Sequence, residues 1–266
     1  MNPLLLTLIC LPTLLMGYFE VDLRTRQGQG IGYEEGYSTL TGFMSGNSEA
    51  RTLGFLDGRV HLLDDGNGAA NLGGGFRLLV ADGMAIGLNS YFDYHHHNRG
   101  EVYQVGAGAE FLSCYFDFRI NGYLPLSHSA SHRRSSCFYE GEFRVKVRQR
   151  RYTLKGGDAE IGKSFCFWNN GWYLALGGYV LNDHKSTTFG GFQGRLALQP
   201  TSWDNVQLQL SGSHDSYFHT QMQIELAFSF PVCGCPTSCC PSFTQPVQRH
   251  EIIALGKNHR IYSWNY

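Results

Sequence analysis

The chain has 266 residues, a length that one all-β barrel can fill, so length alone forces no division into domains. Only 16% of residues are charged while 33 are glycine and 14% are aromatic, which excludes a coiled coil and an intrinsically disordered chain. The net charge of -1 supplies no electrostatic footprint for nucleic acid, and past the N-terminus no run of about 18 apolar residues offers a transmembrane helix, so a membrane role must use strands.

The apolar stretch from Leu4 to Met16, followed by the small residue Gly17, has signal-peptide length, and residues 1–17 are expected to direct export. The alternative is a frayed apolar end. Leu8 and Ile9 ahead of Cys10 disfavour lipidation there.

From about Gly30 to Phe230 apolar and polar residues alternate with a period of two, which predicts strands with two different faces. Weaker segments near Tyr33 to Leu40, Leu53 to Leu62 and Leu72 to Val80 come first. Ile86, Leu88 and Phe92 then oppose Asn89 and Asp93, and Tyr103, Val105, Ala107 and Phe111 oppose Gln104 and Glu110. Phe116, Phe118 and Ile120 alternate with Asp117, Arg119 and Asn121, and Phe143, Val145 and Val147 with Arg144, Lys146 and Arg148. Segments follow at Gly156 to Gly162, Trp172 to Val180, Phe192 to Leu198 and Val206 to Ser211. The longest is Phe218 to Phe230, where Met222, Ile224, Leu226, Phe228 and Phe230 share a face against Gln221, Gln223 and Glu225. This makes about twelve strands.

Asp64-Asp65-Gly66-Asn67-Gly68, Asp82-Gly83 and Asn170-Gly171 supply hairpin turn chemistry. Between Thr13 and Phe230 the only prolines are Pro125 and Pro200, at segment ends, and Pro231 is expected to stop the last strand. The expected domains are a signal peptide (1–17), a barrel (30–230) and a Cys/Pro-rich linker with a short tail (231–266).

Alternation does not say which face meets lipid. Glycines beside polar residues (Gly87, Gly106, Gly108) suit a crowded polar lumen, and aromatics near strand ends suit interfacial girdles. The predicted fold is therefore an all-β, antiparallel transmembrane β-barrel of about 12 strands in the outer membrane of a Gram-negative-type cell. Its lumen-facing candidates are Arg77, Asp93, Glu110, Asp117, Arg119, Arg144, Lys146, Arg148, Arg195 and Glu225. Its lipid-facing closing strand carries Met222, Ile224, Leu226, Phe228 and Phe230.

The segments GYEEGYSTL (Gly32 to Leu40), NLGGGFR (Asn71 to Arg77), FDFRINGYLP (Phe116 to Pro125) and PVQRHEIIAL (Pro246 to Leu255) resemble, in order, the barrel of inverse autotransporters, the intimin and invasin family. The resemblance implies a twelve-stranded outer-membrane barrel whose pore carries a following linker and passenger to the cell surface. The peptidoglycan-binding module before the barrel and the immunoglobulin-like passenger after it are not recognised in this sequence, so a short C-terminal tail is expected in the passenger's place. The alternative is a passenger-less porin or structural outer-membrane barrel.

No other constellation points to catalysis, and the chain is not expected to be an enzyme. His95, His96 and His97 are neighbours that a strand sends to opposite faces, so they read as a polar loop tip rather than a metal site. Ser213, His214 and Asp215 are too close in sequence for a triad and read as loop residues. The basic group from Arg144 to Arg151 reads as lumen charge paired across the barrel, and His128, His132, Arg133 and Arg134 as a solvated loop. Cys233, Cys235, Cys239 and Cys240 are disulfide candidates in an oxidising compartment; Cys114, Cys137 and Cys166 remain without assigned pairing. Expected partners are outer-membrane lipid, the barrel-assembly machinery and disulfide-linked envelope proteins, with no cofactor.

Overall fold

The computed structural model describes residues 17–46, 51–97, 100–127, 130–140, 143–168, 170–182, 187–203, 205–233 and 243–265, and at 97, 130–150, 231–233 and 257–265 the backbone alone. Residues 1–16 of the expected signal peptide (1–17), His128, Cys235, Cys239 and Cys240 lie outside these residues.

Fifteen strands are described: β1 (Tyr18–Gly28), β2 (Tyr37–Ser45), β3 (Thr52–Leu63), β4 (Gly68–Ala81), β5 (Met84–His97), β6 (Gly100–Ser113), β7 (Asp117–Pro125), β8 (Ala130–Glu140), β9 (Phe143–Thr153), β10 (Lys155–Phe167), β11 (Asn170–Asn182), β12 (Thr188–Gln199), β13 (Val206–Asp215), β14 (His219–Cys233) and β15 (Leu255–Asn265). Twelve close into one barrel in the order β1-β14-β13-β12-β11-β10-β7-β6-β5-β4-β3-β2, every pairing antiparallel. Strands β8 and β9 leave the wall between β7 and β10 and pair with β15 in a separate sheet, β15-β9-β8.

The expected number of strands is met with one exchange of membership. Strand β1, whose Val21 and Leu23 alternate with Asp22 and Arg24, belongs to the wall although the expected barrel began only at Gly30. The strand containing Arg144, Lys146 and Arg148 does not. Those three residues therefore do not line the lumen: β9 pairs along its whole length with β15 and on its other edge with β8, so both of its edges are taken by strands outside the wall. Residues 132 to 134 likewise lie on β8 rather than in a loop, and His95 to His97 and Ser213 to Asp215 end β5 and β13.

The wall is inverted relative to a soluble barrel. On β3 Leu56, Val60 and Leu62 are exposed while Asp57, Arg59 and His61 are buried. On β7 Phe118, Ile120 and Leu124 point out and Asp117, Arg119 and Asn121 point in. A closed ladder with an apolar exterior meets the demand that lipid places on a backbone, since no edge is left unpaired. Met222, Ile224, Phe228 and Phe230 of β14 lie on that exterior, with Leu226 half-buried on the same face.

Local chemistry sets the turns. Asp82-Gly83 joins β4 to β5, with Gly83 at φ 72°, a conformation that costs glycine little. The 168–170 turn uses Trp168 at φ 50°, and Asn170-Gly171 instead starts β11. Pro125 ends β7 and Pro200 follows β12. Pro231 does not stop β14, which runs on to Cys233. Opposite it, the β1 register shifts between Phe19 and Glu20, so an irregular step absorbs the missing donor.

Candidate functional site: a segment threaded through the lumen

Strand β1 begins and strand β14 ends at one rim, here the near rim, and the described residues resume at 243 inside the lumen. Residues 243–254 then run to the far rim, where β15 leaves the barrel. Arg77, toward the near end of β4, donates to the carbonyls of Phe243 and Gln245, the latter at 2.8 Å. Arg59 donates to the Val247 carbonyl at 2.7 Å, and Asn71, nearer the far end, to the Glu251 carbonyl at 2.9 Å. At the far rim Leu154 donates to Ala254 (3.0 Å) and Leu255 to Gly32 (3.1 Å). The wall thus provides donors for the backbone carbonyls of a segment that has no strand partner of its own.

Side chains fix the register of the segment. The Arg249 guanidinium grips Asp93 through two bonds of 2.7 and 2.6 Å and sits 4.3 Å from the Tyr91 ring centroid. A Cβ at Gly106 would lie 2.7 Å from that guanidinium, so the small residue makes room for it. Glu251 receives Arg59 at 2.5 Å and Arg24 at 2.8 Å, and Arg59 also holds Asp57. Gln248 accepts from Arg195 at 2.8 Å, and the His250 ring stacks on Tyr123. Bidentate and charge-assisted bonds of this kind are the strong class, and here they join segment to wall.

Apolar residues anchor the same segment at both ends. Val247 packs with Tyr18, Phe43, Phe55 and Tyr91. At the far rim Ile252 joins Tyr37, Leu63 and Ala69, Ile253 and Leu255 join Val102, and Ala254 joins Ile31, Leu154, Tyr179, Leu181 and Phe189. At Gly32, φ is +83° and an added Cβ would lie 2.6 Å from the Ala254 Cα, so glycine is needed where the segment crosses the rim.

Four more ion pairs lie inside the lumen, Arg77 with Glu110 (2.7 Å), Arg119 with Asp117 (3.1 Å), Arg195 with Glu160 (2.6 Å) and Arg26 with Glu225, while buried Asp158 accepts from Asn121 and Tyr123. The structure therefore places Arg77, Asp93, Glu110, Asp117, Arg119, Arg195 and Glu225 inside the barrel, with Asp93 of β5 bonded to Arg249 of the segment. Arg24, Asp57, Arg59, Arg249 and Glu251 were missed. Arg59 alternates with Val60 in a segment already read as a strand, so its place was available; Arg249 and Glu251 lie in PVQRHEIIAL, which has no strand periodicity. Beside the segment a cavity of about 120 Å³ remains, lined among others by Arg195, Gln209, Gln221 and Gln223. Among the described residues no cluster of His, Cys, Asp and Glu could hold a metal. Cys114 and Cys166 are disulfide-bonded.

A closed twelve-stranded barrel with an apolar exterior and a lumen of charged and polar side chains is an outer-membrane-type β-barrel. A solved chain described as "Unveiling the Mechanism Behind the in-meso Crystallization of Membrane Proteins" superposes with a TM-score of 0.67 at 17% identity, covering 91% of this chain and 100% of that one. The KdgM porin (TM-score 0.42, 10% identity, 79% and 99% covered) and the COG4313 outer membrane channel from Pseudomonas putida F1 (0.48, 9%, 80% and 96%) are more distant. The inverse autotransporter beta-domain model matches residues 18–151, just over half of the chain, and the chain belongs to that family. No curated protein matches it.

Proposed function

We propose that this chain is the translocation unit of an inverse autotransporter, exported by its N-terminal segment and inserted in the outer membrane. The near rim then faces the periplasm and the far rim the cell exterior. The observation that carries this reading is the extended segment 243–254, whose backbone is bonded to the wall from one rim to the other. A barrel that displays its own downstream chain must accept one extended segment and hold it, and this lumen has the donors and counter-charges to do so. A porin would need an open path where the segment lies. Lipid and the barrel-assembly machinery are its partners, with no cofactor, catalytic activity or nucleic acid; adhesion is the downstream use of display. The cysteines from Cys233 to Cys240 form disulfides in the envelope, some of them to neighbouring proteins.

An epitope tag after Tyr266 tests the reading. Antibody labelling of intact cells is expected, and labelling only after permeabilisation contradicts it.

A further inference from the structure

The net charge of -1 conceals a strong segregation. Strands β8, β9 and β15 contain nine of the chain's 21 Lys and Arg but one, Glu140, of its 22 Asp and Glu, a net charge of +8. The rest of the chain, with 12 cations and 21 anions, carries -9.

Register concentrates this charge further. Alternate residues of a strand share a face and directly opposed residues of an antiparallel pair share it too, so Arg144, Lys146, Arg148 and Arg150 lie on one face of β9. On β15 Arg260 opposes Arg148, Tyr262 opposes Lys146 and Trp264 opposes Arg144; on β8 Tyr139 opposes Arg144. Like charges directly opposite one another destabilise a strand pair, and Arg148 with Arg260 is such a pair. Arg151 also opposes Lys257, and there Glu34 lies 3.8 Å from Arg151. The face that holds Arg148 and Arg260 has no acidic residue on any of its three strands.

From this juxtaposition we infer that the β15-β9-β8 sheet is a docking face for a linear anionic polysaccharide, with Arg144, Lys146, Arg148, Arg150 and Arg260 as its cationic row and Trp264 beside it. Alternate residues on a strand recur about every 6.8 Å, so the cations form a line rather than a single pocket, which fits a polymer bearing repeated carboxylates or sulfates. Arginine pairs such groups bidentately. The aromatic residues in the same rows distinguish a sugar from a bare polyanion, because a ring face offers apolar contact that phosphate or sulfate alone does not use. The connections to the wall, 126–129 and Leu154, are short, so the sheet stands at the far rim, the cell exterior in the functional reading on which this inference's biological setting rests.

The test uses the full chain in detergent micelles, with heat-modifiable migration as the check on barrel folding. Heparin is the probe, at about 0.15 M salt, where exposed charges are screened beyond about 8 Å. The full chain is expected to bind heparin, and the variant carrying Arg144→Gln, Lys146→Gln, Arg148→Gln and Arg260→Gln to bind about tenfold more weakly with the barrel still folded. Trp264→Ala is expected to weaken heparin binding but not binding of polyphosphate, which has no sugar ring. Unchanged heparin binding in the quadruple variant overturns the proposal. So does an equal effect of Trp264→Ala on both polymers, or tighter binding of a single-stranded oligonucleotide or of vesicles containing phosphorylated glycolipid than of heparin. Binding in micelles does not depend on orientation in a cell, so failure of the surface-tag experiment leaves this result separate.

Discussion

Strand β3 in the wall and strand β9 outside it both alternate apolar with charged residues, yet they treat charge in opposite ways. On β3 the Arg59 guanidinium lies between Asp57 and Glu251, both buried with it. Strand β9 has Arg144, Lys146, Arg148, Arg150 and Arg151 and no acidic residue. Alternation is enough to make a strand, but a place in an enclosed lumen also requires counter-charge within reach. Strand β9 instead pairs with β15 and β8, both outside the wall, and β7 pairs directly with β10.

The largest effect is expected from breaking what both regions depend on, the closed wall. Phe228→Ser with Phe230→Ser removes two exterior aromatics from the strand that pairs with β1, each worth about 2 kcal/mol of apolar burial in lipid. Folded barrel yield by heat-modifiable migration is expected to fall sharply, while Gln221→Ser inside the lumen leaves most of it. Equal yields would contradict the lipid-facing assignment.

Next come the ion pairs of the lumen. Arg59→Ala leaves Asp57 without its cation and Glu251 with Arg24 alone, a loss of about 3 kcal/mol for a buried pair. Urea unfolding in micelles is expected to shift to lower denaturant, and protease is expected to cut residues 243–254 more readily. An unshifted midpoint would remove Arg59 from the account.

The contrast explains what was legible in the sequence. Strand β14 was readable because each of its faces keeps one character over its whole length, from Gln221 and Glu225 on one side to Phe228 and Phe230 on the other. Strand β1 was not: only Phe19, Val21 and Leu23 mark its apolar face, and they come after a long apolar stretch that masks them. Strand β9 was readable as a strand but not as an outsider, since pairing partners are set by register across distant parts of the chain. The lumen pairs Arg77 with Glu110 and Arg195 with Glu160 are likewise separated by 33 and 35 residues. The passage of 243–254 through the pore had no periodic signal at all, because its neighbours come from every side of the wall.

Smaller effects sharpen the comparison. Arg195→Gln removes one cation near the cavity, where its partner Glu160 keeps access to Arg119 at 3.8 Å, and a loss of about 1 kcal/mol is expected in the same unfolding assay. A loss as large as that of Arg59→Ala would mean that the cavity side of the lumen is as tightly coupled to the segment as the opposite side. Smallest of all, replacing Arg144, Lys146 and Arg148 by Gln is expected to leave barrel unfolding within about 0.5 kcal/mol, the usual range for changes outside a packed core. A strong destabilisation would place β9 in the wall after all.

Conductance in planar bilayers tests the central claim most directly, because a segment that runs through the lumen from rim to rim obstructs the path that ions would take. The full chain is expected to stay closed, and a variant lacking 243–254 to show stable open-channel current. Equal, steady conductance from both proteins would contradict the threaded segment.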